Sequence, residues 1–93
     1  MYANFIVAAI DLSVDPERKG VHESIIPRVR EFPGFVAGYW LEPIDGKGMS
    51  VVIYEDEASA KNALDKMSVR VGESPAPGVT IERFETRAVI GHA

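Results

Sequence analysis

Cysteine is absent from this sequence, which excludes disulfide staples, thiolate nucleophiles and zinc–thiolate sites. Long hydrophobic runs are absent too. The longest, Phe5-Ile6-Val7-Ala8-Ala9-Ile10, falls far short of the roughly 20 apolar residues of a membrane span. Basic residues are few and scattered: 10 Lys+Arg stand against 14 Asp+Glu, a net charge of -4 with neutral histidines. Nucleic-acid binding leaves a basic electrostatic footprint, and none is visible here. Neither nucleic acid nor an anionic membrane surface is therefore expected as a partner. The first basic residue is Arg18, so the positive region of a secretory signal is lacking and a cytoplasmic location is expected. His22 and His92 lie too far apart to suggest metal-ligand spacing, and the glycines sit at turn positions rather than in a phosphate loop. No metal and no cofactor is expected.

What remains is 93 residues, 46% hydrophobic and 26% charged, the composition of one small globular domain spanning residues 1–93. An apolar strand is predicted over Ala3–Leu12. Asp15 and Pro16 carry helix-start chemistry, and Val21, Ile25, Val29 and Phe32 share one face of a helix running to about Glu31. Pro27 should kink it. Strands over Phe35–Glu42 and Met49–Tyr54 flank Asp45-Gly46, the dipeptide of a tight hairpin. Asp56 is placed to cap a helix ending near Met67, with Ala60, Ala63, Leu64 and Met67 as its apolar stripe. A loop follows, then a last strand over Val79–Val89. The order β-α-β-β-α-β is the ferredoxin-like pattern of the α+β class: a four-stranded antiparallel sheet with two helices on one face. Strands one and three should be central, since the others carry Glu42, Glu82, Arg83, Glu85 and Arg87.

Both parities of the first strand are apolar, with Phe5, Val7 and Ala9 opposite Ile6, Ala8 and Ile10. The second strand repeats this, setting Phe35, Ala37, Tyr39 and Leu41 against Val36 and Trp40. With both helices on one face, the other would expose more apolar surface than soluble monomers usually do. A second copy of the chain is the expected cover.

Two segments carry a family resemblance. Ile26–Trp40 and Ser50–Ala60 resemble the helix-to-strand and strand-to-helix passages of small dimeric α+β barrel proteins, closest to the short members of the antibiotic-biosynthesis monooxygenase-like family. The resemblance implies a homodimer whose two sheets face each other as a barrel. It also implies a helix–sheet cleft that in relatives takes small aromatic or polyketide-like molecules, or haem. The chain departs from the family in having Tyr54 where relatives usually place Trp. Asn62, Ala63 and Leu64 stand where haem-degrading members have a histidine, and Ile10 stands where they have an asparagine.

Three residues are candidates for binding a small apolar or aromatic ligand. His22 falls inside the apolar sector of its helix at 100° per residue and could serve as a base in the cleft. Trp40 is expected to share a face with Val36 and Gly38, where the glycine leaves room for a flat ligand. Tyr54 can donate from its phenol. Asn4 could orient a carbonyl or dioxygen, while Glu55, Asp56 and Glu57 are better explained by capping than by a metal. No catalytic residue is assigned. The function expected is a dimeric small-molecule-binding or accessory domain, the alternative a cofactor-independent monooxygenase-like enzyme acting in the helix–sheet cleft.

Overall fold

The computed structural model describes residues 1–93. Four strands, β1 (Tyr2–Ile10), β2 (Phe35–Trp40), β3 (Lys47–Tyr54) and β4 (Val79–Ala88), form one antiparallel sheet in the order β2-β3-β1-β4. The two most continuously apolar strands are the central ones, as expected. The β2–β3 hairpin turns at Asp45 and Gly46, both left-handed (φ 52° and 75°). The amide and carbonyl of Ile44 exchange hydrogen bonds with those of Lys47, the geometry an Asp-Gly turn favours.

Helix α2 (Glu57–Lys66) begins where its sequence says it should. Asp56 is extended, and its carboxylate accepts the Ser59 amide at 2.7 Å. The amide's partial positive charge holds the carboxyl below its ordinary value of 3.8. Ala60 and Ala63, both buried, present no bulk and let the helix lie close on the sheet. They join Val29, Val52, Tyr54, Met67 and Ile81 in the core between helices and sheet.

The first helical region departs from expectation. It starts at Gly20 rather than Pro16, because the Asp15 carboxylate accepts from the amides of Lys19 and Gly20 at 2.9 and 2.7 Å. Gly20–Ile25 is π-helical, and α1 proper is only Ile26–Arg30. The wide turn is closed by the Ile26 amide donating to the Val21 carbonyl, one residue before Pro27, which has no N–H to donate. The core-facing stripe survives, with Val29 buried and Ile25 and Phe32 packed against the core. No helix is long and apolar enough to cross a membrane.

Two bulges set which side chains face where. In β2, Phe35 pairs with Tyr54 but Ala37 pairs with Ile53, so Val36 is the extra residue. In β4, Arg83 pairs with Val7 and Ile81 with Ala8, leaving Glu82 unmatched. Each insertion reverses the facing of the strand on one side of it relative to plain alternation.

Candidate functional site

The structure brings two of the three sequence-selected residues together. Trp40 and His22 line one cleft with Arg18, Val21 and Glu42, while Tyr54 lies across the core, lining a cavity of only about 30 Å³ with Asn4 and Ile6. His22 is exposed, against the expectation of a buried base. A π-turn advances less than 100° per residue, so the phase that put His22 in the apolar sector does not hold there. Arg18 is left-handed at φ 57°. One Arg18 guanidinium nitrogen stands 3.5 Å from Glu42, while its Nε is buried without a partner.

Trp40 turns inward toward the helices and packs against the core. The Val36 bulge breaks the expected sharing of a face with Val36. Nor does Gly38 leave space for a flat ligand: a Cβ there would sit 2.7 Å from Cη2 and Cζ3 of Trp40, whose own ring fills the gap. The adjoining apolar cavity, lined by Ile6, Ile10, Val21, Trp40, Met49 and Ile81 among others, holds about 80 Å³. Tyr54 is 1% exposed and meets Phe35 edge-to-face, centroids 6.1 Å apart. Burial pushes its phenol up to about 12, so it stays neutral. Asn4, expected as an orienting amide, is a strut: its Nδ2 donates to the Ala60 carbonyl at 2.9 Å and its Oδ1 accepts from the Thr86 hydroxyl at 2.8 Å.

The helix-free face of the sheet has no element packed on it. Ala3, Phe5, Val7 and Ala9 of β1 and Met49, Val51 and Ile53 of β3 point to it, because Asn4 and Ile6 face the helices. Phe5 pairs with Val51, and Val51 with Tyr39, so these three form a row across the sheet. Tyr39 is 63% exposed. The guanidinium of Arg83 lies 5.6 Å from the centroid of the Phe5 ring, within cation–π range. Arg87 pairs with Glu85 at 2.8 Å, and Lys47 pairs with Glu82. Strand parity made Phe5 legible in the sequence as an outward residue. Arg83 was not, since its place over Phe5 depends on the β4 bulge.

No cluster of three or more potential metal ligands is present. No protein-family model matches the chain, and no curated protein does. Solved structures do. The second RRM domain of yeast poly(U)-binding protein Pub1 superposes with a TM-score of 0.57 at 20% identity, covering 99% of this chain and 100% of that one. The structure of the first two RRM domains of the same yeast protein matches with a TM-score of 0.56 at 21% identity, over 95% of this chain and 48% of that one. At this identity the likeness establishes the shared ferredoxin-like fold.

It also corrects the functional expectations. These two structures with the shared fold are RRM domains of a poly(U)-binding protein, and no family model supports the monooxygenase-like resemblance. The small-molecule or accessory-domain reading, its monooxygenase alternative and the expected homodimer are withdrawn, and so is the exclusion of nucleic acid. A net charge of -4 sums the whole surface; locally, Lys47 is paired with Glu82 and Arg87 with Glu85, while Arg83 lies over Phe5.

Proposed function

We propose that the chain binds single-stranded RNA on the helix-free face of its sheet. The observation that carries this is the Phe5 ring, central on that face, with the Arg83 guanidinium above it and exposed Tyr39 in the same row. RRM domains stack bases on aromatic side chains of a four-stranded sheet. Such stacking tolerates any base, because every base has a π-face. The fold shared with RRM domains of a protein named for binding poly(U) supports the choice of ligand. Arg83 makes no ion pair with a carboxylate, whereas Arg87 and Lys47 are held by Glu85 and Glu82. The electrostatic share of binding is therefore small. With at most three phosphate contacts, log K should fall against log salt with a slope no steeper than about -2.

Fluorescence anisotropy with a labelled oligouridylate tests this at low salt. Wild type should bind the single strand better than a duplex of the same length. Phe5→Ala should weaken binding about fivefold or more, and Arg83→Ala should flatten the salt slope by roughly 0.7. Absence of binding to the single strand, or binding indifferent to Phe5→Ala, would refute the proposal. So would sedimentation of the free protein as a dimer that retains this face inside its interface.

A further inference from the structure

Beyond β4 the chain does not leave the sheet. The Val89 amide donates to the Met1 carbonyl at 2.9 Å, which ties the segment to the start of β1 and carries it onto the helix-free side. There Val89 and His92, with Val36, Ala37, Tyr39 and Ile53 of the sheet, line a groove of about 320 Å³. We infer that this groove holds one nucleobase against the rings of Tyr39 and His92, making His92 a base-stacking residue. The inference rests on the RNA-binding function proposed for the sheet face.

Three features select a base as the occupant. The floor, Ala37 and Ile53, is apolar and low, suited to a flat ring rather than a branched side chain. The lining also includes the exposed phenol ring of Tyr39 and the imidazole of His92, itself planar. No aspartate or glutamate side chain lines the groove. The groove is also continuous with the Phe5 platform. Tyr39 and Phe5 are separated by the single residue Val51 in the same cross-sheet row, about 10 Å from strand to strand but one. A strand stacked on Phe5 can thus place a neighbouring base against Tyr39.

The test is anisotropy with the same oligouridylate on the full chain, comparing wild type with His92→Ala, His92→Phe, Tyr39→Ala and the His92→Ala/Tyr39→Ala double variant. His92 is exposed, so its substitution leaves the fold intact, which thermal melts verify. His92→Ala and Tyr39→Ala should each weaken binding about fivefold or more, while His92→Phe, which keeps a ring, stays within about twofold of wild type. The double variant should lose less than the product of the single losses, since both rings act on one base. Wild-type binding that Phe5→Ala weakens but His92→Ala does not would overturn the groove and leave the sheet-face reading standing. A double loss equal to the product would also overturn the shared base. Failure of wild type to bind would overturn both.

Discussion

Replacing Asn4 by alanine tests the role of that residue as the strut between α2 and the β1–β4 pair. Its amide is 2% exposed and makes two hydrogen bonds, to the Ala60 carbonyl at 2.9 Å and from the Thr86 hydroxyl at 2.8 Å. Each is worth about 1 kcal/mol net. Ala60 has no exposed surface, so water cannot replace the donor it loses, and that stranding adds about 1 kcal/mol. The sum is about 3 kcal/mol, a large part of the 5–15 kcal/mol of a typical small domain. In a domain of this size it lowers the melting temperature by roughly 10–25 °C. Thr86→Val removes one bond at a half-buried position, where water can compensate, and should cost about 1 kcal/mol. Urea unfolding with an unchanged m-value is the assay. Asn4→Ala within about 0.5 kcal/mol of wild type, or no worse than Thr86→Val, would refute the strut.

Tyr54, with its phenol raised from 10.0 to about 12, favours the folded state in its neutral form. Its stabilisation is complete below pH 10 and is lost as pH rises toward 12, so Tyr54→Phe should flatten alkaline unfolding monitored by circular dichroism. Asp15 and Asp56 are shifted the other way, below 3.8, by the amides of Gly20 and Ser59. Their contribution is present above that value and disappears as pH falls through the lower folded value, and Asp56→Asn, which keeps the cap acceptor, should reduce the acid loss seen in urea midpoints. Gly38→Ala should destabilise by about 1–3 kcal/mol by driving Trp40 from its place, and should shift the emission of this single tryptophan. A neutral substitution there would mean that the space beside Trp40 is free after all.

Much of the architecture was legible in the residues because it depends on local chemistry. Asp45-Gly46 can make the left-handed turn it makes. Asp56 caps the helix that starts beside it, and the apolar stripe of α2 has the helical period. Central and edge strands were distinguishable because only the central ones are shielded on both sides by neighbours and can dispense with charge. The tertiary structure alone decided which side chains meet. Simple alternation would place Phe35 on the same face as Tyr39, but the Val36 bulge sends Phe35 and Trp40 to the helices and leaves Tyr39 outside. The Glu82 bulge brings Arg83 to Phe5, and the π-turn before Pro27 carries His22 out to solvent. The return of Val89–Ala93 onto the sheet hangs on one bond to Met1, from the opposite end of the chain. Each of these depends on register between segments distant in sequence or on where a backbone bond is lost. A one-residue offset reverses every facing beyond it, and nothing in the local pattern of apolar and polar residues records where that offset falls.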